Sequence, residues 1–336
     1  MVIHNLDDAV EVLYDKKDGS SKEVSWQLHR LVTLRLATSY KRLQSHKYKR
    51  IVDCGGYLEF RRLPDNSLRL QYMNSCHLRL CPTCGWRRTK RIYHQVRTIY
   101  DSITNDYDFI FLTLTIRNCK GESLPAEIDN MVSAFKRLNL RKQFRDAVRG
   151  WVKVFEITYN WSTGEYHPHY HCILAVDSNY FTSQTYITQE AFCSLWGSCL
   201  RVDYKPVVDV RAFTASEKGQ GKEIAELAKY AVKSSNIMTN LSCISLYNKD
   251  IQDAVMELTD SLTDKIVLTL DNALASRRLI EYGGIFKEKH RDLRLDDDID
   301  DDLIHTGAEK IQGGSDYQIE RYGWSPGHRQ YLRIDG

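Results

Sequence analysis

A chain of 336 residues with 42% apolar residues and a formal charge of +3 can bury a sizeable core, which excludes a disordered or low-complexity protein. No run of about 18 apolar residues occurs, and the first residues carry Asp7, Asp8 and Glu11 where a signal peptide is basic and then apolar, so a soluble, cytoplasmic protein with no membrane partner is expected. Nine cysteines, an odd number in such a chain, argue against a disulfide framework and direct attention to the clustered ones as metal ligands.

In chain order, apolar residues from Val24 to Leu43 recur at helical spacing and predict an amphipathic helix. Two alternating runs from Tyr57 to Met73, around Pro64-Asp65-Asn66-Ser67, predict a β-hairpin. Cys54 precedes it, and Cys76, Cys81 and Cys84 follow, giving C-x21-C-x4-C-x2-C. Four thiolates gathered at one point would bind Zn2+ tetrahedrally in a structural knuckle, with His77 an alternative to Cys76. A helix from Gly85 to Ile103 then carries Arg87, Arg88, Lys90 and Arg91, which the knuckle would present to nucleic-acid phosphates. Residues 41–100 hold fourteen Lys or Arg against three acids, a density that suits phosphate contacts.

From Phe109 the pattern becomes β-α-β-β-α-β-α: a strand from Phe109, a helix over Pro125–Val148, strands over Trp151–Tyr159 and His167–Val176, a helix near Thr188–Trp196, a strand near Val207–Phe213 and a helix over Lys222–Ser234. The five-residue turn between the paired strands is too short for a crossover, so they run antiparallel. The expected fold is α+β, an antiparallel-centred split βαβ sheet with helices packed on one face. Beyond Ser235, helices are expected at Ile251–Leu262 and Leu270–Tyr282, followed by the acidic run Asp296–Asp302 and a poorly ordered tail. The segments are then 1–50 helical, 51–104 Cys-rich, 105–240 the sheet domain, 241–290 C-terminal helices and 291–336 the acidic tail.

His167, His169 and His171 alternate along one strand, so all three share a face and make a divalent-metal clamp. The neighbouring strand offers one acid near the pairing position, Glu156; whether Glu156 or His167 completes the site is left open by the sequence, with Glu156 favoured. A carboxylate with two imidazoles suits Mg2+ or Mn2+ in phosphoryl chemistry. On the Lys222–Ser234 helix, Glu226, Tyr230 and Lys233 lie at i, i+4 and i+7 on one face. Lys233 can favour the phenolate of Tyr230 as a nucleophile on phosphorus, and Glu226 is placed to activate water.

Together these residues resemble the Rep family 1 plasmid initiators of rolling-circle replication, members of the HUH endonuclease superfamily with a ferredoxin- or RRM-like sheet. Three motifs occur in order: Phe111-Leu-Thr-Leu-Thr115 with Asn118, His169-Tyr170-His171, and Tyr230 with Lys233. The segment Arg79 to Arg88 around Cys81 and Cys84 is likewise similar to the region upstream of the first motif. The resemblance covers Cys54 to Ser235 and implies a site- and strand-specific nick at a plasmid double-strand origin, with a 5′-phosphotyrosine on Tyr230 and a free 3′-hydroxyl extended by host polymerase behind a host helicase. It also implies that Glu226, four residues before the tyrosine, promotes hydrolytic release.

Two rivals remain on sequence grounds. A single-strand transposase or a relaxase shares the histidine strand and a tyrosine, although relaxases place the tyrosine before the histidines. A zinc-knuckle DNA-binding regulator without catalysis accounts for the basic block, but not for the convergence of Glu156, the histidines and the Tyr/Lys helix on one sheet.

Overall fold

The computed structural model describes residues 13, 26–64, 68–213, 220–230, 249–295 and 317–334. In chain order the elements are α1 (Trp26–Arg42), α2 (Lys47–Asp53), β1 (Tyr57–Arg62), β2 (Leu68–Met73), α3 (Pro82–Ile103), β3 (Tyr107–Thr115), α4 (Leu124–Leu140) and α5 (Lys142–Ala147). They continue as β4 (Val148–Asn160), β5 (Glu165–Asp177), a 3-10 turn (Tyr180–Thr182), α6 (Gln189–Leu200), β6 (Val208–Ala212) and α7 (Gln220–Tyr230). The last are α8 (Lys249–Ala273), β7 (Ile280–Gly284), α9 (Ile285–Asp292), β8 (Gln318–Ser325) and β9 (Gln330–Arg333). The chain divides into one unit of Met1–Arg87, Met238–Lys265 and Asp300–Gly336, and another of Arg88–Ile237 and Ile266–Ile299. Among the described residues no helix is long and apolar enough to cross a membrane.

In the first unit the hairpin β1–β2 extends into a four-stranded sheet of order β2-β1-β8-β9. Leu58, Phe60, Leu70 and Met73 alternate inward and are buried, and Trp26 of α1 packs edge-on against Phe60 at 5.9 Å. The buried stripe of α1 also includes Arg30 and Thr33, polar residues that hydrophobic periodicity does not select. The tail, expected to be poorly ordered, instead supplies half of this sheet: β8 pairs antiparallel with β1 from Tyr57↔Gly323 to Arg62↔Gln318. Its buried carboxylate, Glu320, is matched by Arg62 and by the Tyr322 hydroxyl at 2.9 Å, so this charge is paired where it is buried. The acidic run Asp296–Asp302 lies outside the described residues.

The second unit is built on a five-stranded antiparallel sheet of order β6-β3-β5-β4-β7. β3 and β4 run parallel with β5 inserted between them, the split βαβ topology expected from the sequence. Helices cover both faces, a correction to the one-face expectation. On one side Phe135 of α4 packs on Trp151 at 4.8 Å and Tyr170 at 5.6 Å, and Trp196 of α6 donates to the Thr115 carbonyl at 2.8 Å. On the other, Val96 and Ile99 of α3, Leu227 of α7 and Phe286 of α9 join a core with Phe111, Val154 and Ile173. The uninterrupted burial of β5 from Pro168 to Val176 is the mark of a strand covered twice.

The helices expected at Ile251–Leu262 and Leu270–Tyr282 are replaced by the single helix α8, and Ile280–Gly284 is the edge strand β7, with Gly283 opposite Trp151 of β4. A Cβ on Gly283 would lie 2.2 Å from the indole of Trp151, so only glycine allows this approach. Two residues further in, buried Lys153 pairs with Glu281 at 3.0 Å.

Candidate metal centres and the tyrosine helix

The turn between β4 and β5 sets the register of the histidine site. Asn160 Oδ1 accepts from the Ser162 amide at 2.9 Å, and Gly164 takes a φ of +72°, a conformation that favours glycine. Counting back from the turn places Glu156 directly opposite His169 and Val154 opposite His171, while Thr113 of β3 stands opposite His171 on the other side. Side chains paired this way share a face, so the carboxylate and both imidazoles converge.

Nε2 of His169 lies 2.5 Å from Glu156 Oε2 and Nε2 of His171 lies 2.8 Å from the same oxygen. All three residues are buried, and their ligand atoms lie within 4.8 Å of one another. His169 Nδ1 sits 3.0 Å from the His167 carbonyl, which can only accept, so that nitrogen carries the proton. In a neutral ring Nε2 then directs a lone pair at the carboxylate, and two acceptors approach this closely only with a proton or a cation between them. His171 is oriented by Thr113 Oγ1, 3.2 Å from its Nδ1. This donor set, with its outer nitrogens already oriented, fits a divalent cation. Burial acts to raise the Glu156 pKa, but hydrogen bonds from His169 and His171, and their charge, bring it down to about 2.

His167 stands apart from this group. Its ring lies against that of His169 with centroids 5.0 Å apart and its carbonyl accepts from His169 Nδ1, but its nitrogens are not among the converging ligand atoms. Thr113, inside the Phe111–Thr115 motif, was not singled out by the sequence as an orienting residue.

Helix α7 packs Ile224, Leu227 and Ala228 into the core that lies on the histidine face of the sheet. Glu226 is half-buried and receives the Arg211 guanidinium at 3.1 Å. Arg211 also meets Asp209 at 3.0 Å and lies over the Phe111 ring at 4.8 Å. Neither Asp209 nor Arg211 was visible as a functional candidate, although their alternation on β6, opposite Thr113 and Phe111, puts them on the histidine face. Tyr230 is the last residue of α7, one turn beyond Glu226. Lys233 lies outside the described residues.

In the first unit Cys54, Cys76, Cys81 and Cys84 form a second buried group. Sγ of Cys54 is 3.5 Å from those of Cys81 and Cys84, and Cys76 Sγ is 3.7 Å from Cys84 Sγ, far beyond a disulfide bond. Four sulfurs at about 2.3 Å from a tetrahedral centre stand about 3.8 Å apart, close to the spacing found. His77 is exposed, with a φ of +54°, and it is Cys76 that joins the buried group. Around the group, Arg30 donates to the carbonyls of Cys54 at 2.6 Å and Val52 at 2.8 Å, Arg50 donates to that of Cys76 at 2.6 Å, and Thr33 Oγ1 lies 3.8 Å from Cys81 Sγ. Two guanidinium groups beside four thiols offset the negative charge that thiolates would carry. Arg87, Arg88, Lys90 and Arg91 are half-buried on α3 and each already takes part in a contact, Arg87 with Ser75 Oγ at 3.3 Å.

The replication protein family model Rep_1 matches residues 67–332. The chain is 32% identical over 333 residues to a "Protein rep" of Bacillus amyloliquefaciens, covering 95% of this chain and 97% of the relative. It is 37% identical to a "Protein rep" of a Bacillus species, covering 77% and 84%, and 32% identical to one of Streptococcus pneumoniae serotype 2, covering 89% and 88%. No solved structure matches it.

Proposed function

Since the chain belongs to the Rep_1 family of replication proteins, we propose that it initiates plasmid replication in the cytoplasm as a metal-dependent endonuclease and strand transferase, nicking one strand of the double-strand origin. The observation that carries this is the convergence of Glu156, His169 and His171 on the sheet face covered by the helix that bears Glu226 and Tyr230. Glu156 Oε2 and the two Nε2 atoms would hold Mg2+ or Mn2+, which supplies Lewis-acid polarisation of the scissile phosphate.

The residues of the chain then divide the work. The Tyr230 oxygen forms a bond to phosphorus as the bond to the 3′-oxygen breaks, leaving the 5′ end on the tyrosine and a 3′-hydroxyl for host polymerase, with a host helicase ahead of it. Lys233 favours the phenolate. Glu226, held by Arg211, takes a proton from water in the later hydrolysis of the phosphotyrosine. The four cysteines would hold Zn2+ in a structural role, and Arg87, Arg88, Lys90 and Arg91 would meet origin phosphates.

The test is incubation of the protein with supercoiled plasmid bearing its own origin, with and without Mn2+. Nicked circles that require the ion and disappear with Tyr230→Phe support the proposal. Nicking that persists in the Phe variant overturns the assignment of the nucleophile, and specific origin binding without nicking under any divalent ion favours a non-catalytic regulator.

A further inference from the structure

Among the described residues, the small sheet of the first unit has one packed face and one open face. On the open side the register fixes two cross-strand rows, Tyr72 beside Glu59 beside Arg321, and Arg69 beside Arg61 beside Ile319. Tyr57 lies against Tyr72 with ring centroids 6.0 Å apart, and the Arg61 guanidinium covers the Tyr317 ring at 4.8 Å. Tyr72 is 55% exposed and Tyr317 44%.

Among the described residues, the charges on this face are not balanced. Glu59 is already engaged by Arg321 at 3.1 Å and by the Tyr57 hydroxyl at 3.0 Å. Arg61 and Arg69 stand directly opposite each other, a like-charge pairing that costs stability in an antiparallel sheet. Among the described residues, Arg61 is steadied by neutral groups on this face, the Gln71 side chain at 2.7 Å and the Tyr317 ring. Adjacent guanidinium groups between exposed phenol rings suit a polyanion that also presents flat apolar faces.

We propose that this face binds single-stranded DNA, with unpaired bases stacking on Tyr72 and Tyr317 and phosphates meeting Arg61 and Arg69. A duplex fits less well, because its base faces are already covered by their neighbours and leave the tyrosines nothing to stack on. Four strands about 4.8 Å apart span roughly 15 Å, room for about three nucleotides. The choice of DNA over RNA rests on the replication function proposed above; the stacking and charge chemistry stands without it.

The experiment uses the full chain carrying Tyr230→Phe, without added divalent ion, so binding is read whether or not the protein nicks DNA. Fluorescence anisotropy follows a labelled mixed-sequence single strand of about 20 nucleotides, the same sequence as duplex, and the same sequence as RNA. The single DNA strand is expected to bind tightest. Tyr72→Ala with Tyr317→Ala should weaken it about tenfold or more with little change in salt dependence, since stacking carries no counterion release. Arg61→Gln with Arg69→Gln should weaken it and lower the salt slope by about 1.4, the release from two phosphates. Tyr72→Phe with Tyr317→Phe keeps the rings and the fold and should bind as the parent does. Unchanged affinity in both the Ala and the Gln pairs, loss in the Phe pair equal to that in the Ala pair, or tighter binding of duplex or RNA would overturn the proposal.

Discussion

The Arg211 guanidinium on β6 reaches the Glu226 carboxylate on α7 at 3.1 Å while holding Asp209 of its own strand at 3.0 Å. Both side chains of the Arg211–Glu226 pair are partly exposed, so it contributes less than about 1 kcal/mol to folding, and its consequence is the placement of Glu226. Arg211→Ala is expected to slow hydrolytic release of the DNA-bound protein by about tenfold, more than it slows nicking. A denaturing-gel time course of the adduct reads this directly. Decay at the parental rate would mean that Arg211 does not position the glutamate.

Glu156→Gln keeps the shape of the site but removes its negative charge. Affinity for Mn2+ should fall about a hundredfold or more by calorimetric titration. The pH dependence follows from the pKa of about 2 that His169 and His171 impose on this buried acid against an ordinary value of 4.5. A carboxyl depressed in the folded state stabilises the fold above its unfolded pKa, and that contribution is lost as the pH falls toward the folded value. The metal-free protein should therefore lose stability on the order of 3 kcal/mol between about pH 4.5 and pH 2, a loss absent from the Gln variant in urea titrations at each pH.

Cys84→Ser should abolish a stoichiometry of about one zinc per chain and destabilise the first unit by several kcal/mol, because binding energy at such a site is folding energy. Elemental analysis and circular dichroism melting check both. Full zinc retention in the Ser variant would place the metal elsewhere.

Gly283→Ala drives a methyl group to within 2.2 Å of the Trp151 indole. Either the indole leaves its place against Phe135 or β7 leaves β4, and the cost is about 2 kcal/mol or more. A thermal midpoint equal to the parent's would show that the edge strand is not held by this contact.

The histidine site was legible because its signals are local. Period-two histidines, a five-residue turn and one acid on the returning strand leave little choice of register, and the cysteine spacing flanks a hairpin recognisable on its own. The missed features are non-local or lack a pattern. Gln318–Ser325 meets Tyr57–Arg62 across more than two-thirds of the chain, and nothing within eight residues of β8 announces its partner. Ile280–Gly284 ends in two glycines and resembles the frayed end of a helix until Trp151 is placed beside it. Arg211 looks like an ordinary solvent-side strand residue, and its role emerges only when α7 brings Glu226 within reach of it.

The most direct test of the central claim is mass spectrometry of the covalent complex formed on origin plasmid with Mn2+, after nuclease and tryptic digestion. The account predicts a nucleotide attached through phosphate to the tyrosine of the peptide that begins at Tyr230. A nucleotide on any other tyrosine, or nicked plasmid with no modified peptide, would contradict it.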